Sequence, residues 1–417
     1  MSTVLRPFHA RCRIPRDLER VTDVGEEIRP RDVGSSSAAV QRIWSRVEAL
    51  YQTGLYPAIQ ICIRRKGGIV MNRAIGHASG NGPRDVGGPG KVRIHTDTPF
   101  TLYSASKAIT AMLIHKLDEK NQIRLDDRVC EYIPEFGRHG KQWITIRHVL
   151  GHRAGIPNVP PEAMDLDLLE HPDEILRILY RAKPLSRPGR RLAYHAITGG
   201  FVLAEIVQRV TGRDIREVLR REIQRPLGLR YTNYGVAPAD VSRVARDAFT
   251  GFPVLPPLSM VLRRALGLGM GEIIQASCDP RFLTGIVPSA NVVSTAEELT
   301  AFYQCLLDDR GEGARIFDPR TVRRATLEQT YWEIDLTLGL PLRYGLGFML
   351  GGYRVGLFGP DTPHAFGHIG FTNILSWADP ERELAVAILT SGKPILSPEM
   401  LRLYQLLTEI GRAFPKR

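Results

Sequence analysis

The sequence predicts an α+β protein: an antiparallel sheet built from both chain ends and flanked by helices, with an inserted, mostly helical domain. Three observations lead there. Near the start, two strand-like runs, Ala58 to Arg65 and Ile69 to Ala74, are separated by Lys66-Gly67-Gly68, which reads as a hairpin. Near the end, Thr372 to Ala378 and Glu383 to Thr390 flank Asp379-Pro380-Glu381-Arg382, where proline presets the dihedral of a tight turn. Between the two hairpins, from Ser104 to about Leu227, apolar residues recur at helical spacing, punctuated by prolines and glycines.

Taken in order, residues 1–36 alternate arginine with acidic residues, contain prolines and end in Ser35-Ser36-Ser37, which predicts a mobile N-terminal arm. The body then begins with a helical run marked by Val40, Ile43, Trp44, Val47 and Leu50. Residues 37–103 and 285–417 are expected to form the sheet-plus-helix domain, and 104–284 the helical one. Within the latter, an apolar, proline-bounded segment at 250–275 is a candidate lid or acyl-binding wall, too interrupted by arginines to span a bilayer. Ser397-Pro398-Glu399 supplies the start of a last helix over Met400 to Phe414.

The 417 residues are 43% hydrophobic and 24% charged, an ordinary globular balance. The net charge of +12 is spread among acids, as in Arg213-Asp214-Ile215-Arg216-Glu217, so it reads as solvated helix faces and not as a nucleic-acid stripe. No run of 18 apolar residues is present, and the first sixteen residues lack the apolar core of an export signal. Five widely spaced cysteines with no CxxC pair suit a reducing compartment, so the expected location is cytoplasmic. Two His-x-x-x-His spacings, His148 with His152 and His364 with His368, lack the adjacent glutamate and third ligand of a zinc hydrolase, so neither a metal nor a cofactor is expected.

The chemistry concentrates in Thr101-Leu102-Tyr103-Ser104-Ala105-Ser106-Lys107. The helical spacing that follows puts Ser104 in the first turn with Lys107 on the same face. A serine hydroxyl is a weak nucleophile until a neighbouring base takes its proton, and a desolvated lysine can do that. No Gly-x-Ser-x-Gly elbow occurs to support an α/β-hydrolase triad.

Together with Asp97 to Phe100 before it, this segment closely resembles the nucleophile region of class C β-lactamases, D-alanyl-D-alanine peptidases and β-lactamase-like esterases. Ile144 to Ile156, Pro188-Gly189 leading to Tyr194, Val287 to Leu299 and Tyr344 to Phe348 follow in register, so the resemblance spans roughly Ala38 to Arg412. It implies a β-lactamase/transpeptidase-like fold with Ser104 as nucleophile, Lys107 as general base and Tyr194 as a proton carrier. It also implies an oxyanion hole made by the backbone N–H groups of Ser104 and Phe371. Phe366-Gly367-His368-Ile369-Gly370-Phe371 resembles the family's third motif, which makes His368 and Gly370 substrate-binding candidates; His195, beside Tyr194, is a further one. The chain departs from the pattern at Ala196, where the lactamases and peptidases carry asparagine, and at His368, where many carry lysine. Both departures favour a small-molecule ester as substrate over a β-lactam or an acyl-D-alanine. The alternatives are a β-lactamase or peptidase, and a catalytically silent binding protein of the same fold.

Overall fold

The computed structural model describes residues 10–85, 90–158, 165–256, 259–260, 262–263, 267–307, 315–331, 333–395, 397–398 and 400–416. The first hairpin forms strands β2 (Ala58–Arg65) and β3 (Gly68–Ser79), closed by Lys66 and Gly67 at φ 53° and 86°, the two left-handed residues that a tight hairpin turn requires. The second forms β10 (Ile374–Asp379) and β11 (Leu384–Thr390). Its turn is clamped by the Asp379 carboxylate, which accepts the N–H groups of Glu381 and Arg382 and pairs with the Arg382 guanidinium at 2.9 Å.

The two ends of the chain meet where β11 pairs antiparallel with β2, from Leu384 opposite Arg65 to Thr390 opposite Ile59. Three more strands extend the sheet: β1 (Thr22–Val24), β8 (Met349–Leu350) and β9 (Phe366–Gly370). The order is β1-β3-β2-β11-β10-β9-β8. The short β4 (Val92–Arg93) pairs with β3 off this path. Both faces are covered, so the central strands are nearly continuous apolar runs whose alternate residues enter different cores. Ile59, Ile61 and Ile63 pack with helix α1 (Ser37–Tyr51) and the C-terminal helix Met400–Ala413. Ala58, Cys62, Ala385, Ala387 and Leu389 pack with the helix Ala296–Leu307 and the helical part of the chain.

The helical part hangs from a small sheet in which β5 (Phe100–Thr101) and β6 (Asn233–Tyr234) flank β7 (Val292–Ser294). Its central helix, α2 (Ser106–Glu119), is buried almost all round, with Ala108, Ile109, Met112 and Leu113 in the core. Helix Thr198–Thr211 packs against it, and Ile146–Leu150 and Pro172–Arg181 pack against Thr198–Thr211 in turn.

The expectation of a mobile arm fails for residues 10–36. Thr22–Val24 supplies the edge strand β1, and the Glu27 carboxylate accepts from Arg73 at 2.7 and 2.8 Å and from the Asn72 N–H at 2.9 Å. Of the alternating charges that suggested solvation, Glu27 pairs with Arg73 on the sheet and Asp23 with the Thr96 N–H, while Asp17 with Arg20 and Asp32 with Arg29 pair within the stretch. Residues 1–9 lie outside the described residues, as do Pro257, Leu258, Val261 and residues 264–266 of the candidate lid. The end of that segment is the helix Met270–Ser277, and an open cavity of about 950 Å³ is bounded by Arg246, Asp247, Pro253, Met260, Met270 and Cys278. Among the described residues, no helix is long and apolar enough to cross a membrane.

Glu27→Ala is expected to lower unfolding stability by about 1–3 kcal/mol, because the half-buried Arg73 and the Asn72 N–H lose their acceptor. Chemical denaturation of the two proteins measures the difference.

Candidate active site

The site starts at β5. The Leu102 N–H donates to the Val292 carbonyl at 2.8 Å, and the next residue, Tyr103, takes a left-handed φ of 48°. An aromatic residue in that region carries strain of about 1–3 kcal/mol and persists only where its surroundings hold it. The reversal opens a single 3₁₀ turn, Tyr103–Ala105, that runs directly into α2. Ser104 therefore stands at the head of a long buried helix, and Lys107, three residues on, points back along the same face.

Lys107 is 8% exposed, with its Nζ 3.1 Å from Ser104 Oγ, 2.8 Å from the Ala196 carbonyl and 3.1 Å from the Ser289 carbonyl. No carboxylate pairs with it among the described residues, and burial alone pulls its pKa down to about 7. A neutral amine has two N–H donors and one lone pair. Two of the three neighbours are carbonyls that only accept, so the lone pair is left for the serine hydroxyl.

Tyr194 closes the group. Its phenol hydrogen-bonds the Ser104 side chain, and its ring lies 4.9 Å from Lys107 Nζ. Burial pushes the phenol above its usual range, so it rests protonated. Tyr194 is held through its backbone N–H, which donates to Asp335 Oδ1 at 3.1 Å. The same fully buried carboxylate also receives the N–H groups of Thr337 and Leu338 and the hydroxyl of Tyr344. The His152 ring packs 4.6 Å from that of Tyr194, and its Nδ1 accepts the N–H of His195 at 3.2 Å.

On the opposite wall, β9 ends beside the Tyr103–Ala105 turn. A methyl group on Gly370 would sit 2.3 Å from the Leu102 carbonyl, which is why only glycine brings the strand this close. Phe371 follows, its ring 5.3 Å from that of Tyr103. His368 is buried, 6.3 Å from the Tyr194 ring, with Nδ1 against the Ile369 carbonyl at 2.8 Å; burial lowers its pKa to about 3, so the imidazole is neutral.

The structure thus brings Ser104, Lys107, Tyr194, His368, Gly370 and Phe371 to one place. His195 is 1% exposed, and its Nε2 accepts the Ile156 N–H at 3.3 Å, which ties it to the loop behind the site. His148 Nδ1 caps the Ile146–Leu150 helix by accepting the Thr145 N–H, and His152 Nδ1 accepts the His195 N–H. Asp335 was invisible to sequence reasoning, because it lies 141 residues from the tyrosine it holds and no local spacing links them.

The fold and this constellation define a serine hydrolase. The sequence model of the Beta-lactamase family matches residues 45–408, and the chain belongs to that family. It is 30% identical, over 72% of its length and 71% of the relative's, to the esterase/beta-lactamase LipL of Mycobacterium tuberculosis. Over 89% of its length and 87% of the relative's, it is 25% identical to a putative D-alanyl-D-alanine carboxypeptidase of Salmonella schwarzengrund. Among solved structures, a penicillin-binding protein homolog from Caulobacter crescentus superposes with a TM-score of 0.76 at 25% identity, covering 94% of this chain and 100% of that one.

Asp335→Ala leaves several buried N–H groups without an acceptor and is expected to cost about 1–3 kcal/mol of stability and to slow labelling of Ser104 by a fluorophosphonate. Asp335→Asn, which keeps one oxygen, is expected to recover most of both; thermal melts and labelling rates measured side by side check this.

Proposed function

We propose that this protein is an ester hydrolase that works through an acyl-enzyme on Ser104. The observation that carries the reading is the buried Lys107 Nζ, 3.1 Å from Ser104 Oγ and bonded to the carbonyls of Ala196 and Ser289; in the neutral amine two N–H groups meet those carbonyls and the lone pair faces the serine hydroxyl. In this mechanism Lys107 takes the Ser104 proton as Oγ bonds to the ester carbonyl carbon. The carbonyl oxygen becomes an oxyanion between the N–H groups of Ser104 and Phe371. Collapse breaks the ester C–O bond, the alkoxide takes the Tyr194 proton, and Lys107 returns its proton to the tyrosine. Water repeats the sequence on the acyl-enzyme and releases the acid.

An ester is favoured over an amide because Ala196 offers only a methyl where a side-chain amide would bind an N-acyl group, and neutral His368 gives a substrate carboxylate no cation. The cavity beside Asp247 mixes Val254, Met260, Met270 and Ile274 with Arg84, Asp85, Arg246 and Arg263, and its wall does not include Ser104, Lys107 or Tyr194, so it gives no preference for an apolar acyl or alcohol group. The five cysteines are not joined in disulfides, which supports the cytoplasmic reading.

Brief exposure to a p-nitrophenyl ester or a fluorophosphonate is expected to leave one covalent adduct on the wild type and none on Ser104→Ala, as read by intact mass. The absence of both adduct and turnover would favour a silent binding protein, and faster cleavage of a cephalosporin than of the ester would favour a β-lactamase. Since protonation fills the Lys107 lone pair, kcat/KM for an ester is expected to fall as pH drops through about 7. Lys107→Arg, which cannot lose its proton, is expected to lose about 10²- to 10⁴-fold in kcat, as read in a steady-state pH series.

A further inference from the structure

Behind the nucleophile turn lies a second buried polar group that the mechanism above does not use. The Tyr103 hydroxyl donates to Asp247 Oδ2 at 2.6 Å, and Asp247 Oδ1 lies 3.1 Å from Lys393 Nζ. The same ammonium sits 4.8 Å over the Tyr103 ring and donates to the Thr390 carbonyl at 2.7 Å, closing a ring of contacts. Ser277, at the end of the Met270–Ser277 helix, also bonds the phenol. All three members are buried, Tyr103 at 5%, Asp247 at 9% and Lys393 at 0% exposure.

They come from three distant stretches stitched together by backbone bonds. Ala245 N–H donates to the Pro99 carbonyl, Ala248 N–H to Ser391, and Lys393 N–H back to Ala248. Burying an ion pair is costly in free energy, and an apolar trio of similar size would pack at least as well, so stability alone gives no reason for these residues here. What distinguishes the place is that Tyr103 is the strained residue immediately before Ser104. A left-handed φ on a tyrosine relaxes unless something pulls its side chain to one side, and the phenol held by Asp247 and Lys393 supplies that pull.

We propose that Asp247 and Lys393 are positioning residues for catalysis, which act through the Tyr103 hydroxyl to hold the backbone turn that aims Ser104 Oγ at Lys107. The proposal rests on Ser104 being the nucleophile. Relaxation of the turn moves the serine without removing any group that binds substrate, so its signature is a loss in kcat and in acylation rate with KM nearly unchanged. Displacement of a reacting atom by about 1 Å can cost up to about 100-fold.

The test measures the rate of fluorophosphonate acylation, the kcat and KM for a p-nitrophenyl ester, and the melting temperature for wild type, Tyr103→Phe, Asp247→Asn, the double variant and Glu27→Ala. Tyr103→Phe removes only the hydroxyl and keeps the ring against Phe371. It is expected to slow acylation about tenfold or more with KM within about twofold, on the scale set by small misplacements of a nucleophile. The double variant is expected to be no slower than the more affected single one, because both break one linkage. Glu27→Ala, remote from the site, is expected to melt lower and to acylate at the wild-type rate, which separates loss of stability from loss of aim. Should Asp247→Asn fail to fold, Tyr103→Phe with the isosteric pair Asp247→Asn/Lys393→Met answers the same question. Acylation of Tyr103→Phe at the wild-type rate, or losses that multiply in the double variant, would overturn the proposal. Failure of the wild type to label at Ser104 would instead overturn the hydrolase reading on which it rests.

Discussion

The pairing of β11 with β2 is the contact on which the rest of the molecule depends. It joins strands that are more than 300 residues apart in sequence, Leu384 against Arg65 to Thr390 against Ile59, and makes one sheet of the chain's two ends. Everything else is hung from that seam. Along one side, β10 and β9 follow β11 in order, which carries Gly370 and Phe371 to the nucleophile turn. Just beyond the end of β11, Lys393 meets the loop that contains Asp247. Loss of the seam would separate the two walls of the site and uncover the helices packed on either face.

Within that frame the chemistry is governed by desolvation. Among the described residues no acid stands beside Lys107; its Nζ meets two carbonyls, the Ser104 hydroxyl and the Tyr194 ring. Burial is what brings its proton affinity near neutrality, and the same burial holds Tyr194 protonated and His368 neutral. One physical cause thus sets three protonation states in complementary senses, and the site can begin a reaction near neutral pH without a permanent charge beside the serine.

Much of this was legible in the sequence, for local reasons. Both hairpins announced themselves through strand-like apolar runs and turn residues, and the helical spacing after Ser104 placed Lys107 on the same face as Ser104. The ends of β3 were harder to read, since it runs to Ser79, past Ala74. The N-terminal stretch was misjudged because a charge that will pair with the sheet looks the same in sequence as one that faces water; Glu27 and Arg73 are the instance. Asp335, Asp247 and Lys393 carry no periodic or motif signal at all. Their positions follow from tertiary contacts across long separations, which a reading based on spacing cannot see.

The acceptors around Lys107 are both main-chain carbonyls, those of residues 196 and 289. A carbonyl is present whatever side chain its residue bears, so exchanging the side chain at position 196 leaves the hydrogen-bond acceptor of the Lys107 amine in place. The main chain holds the lysine while the side chain of the same residue stays free to vary.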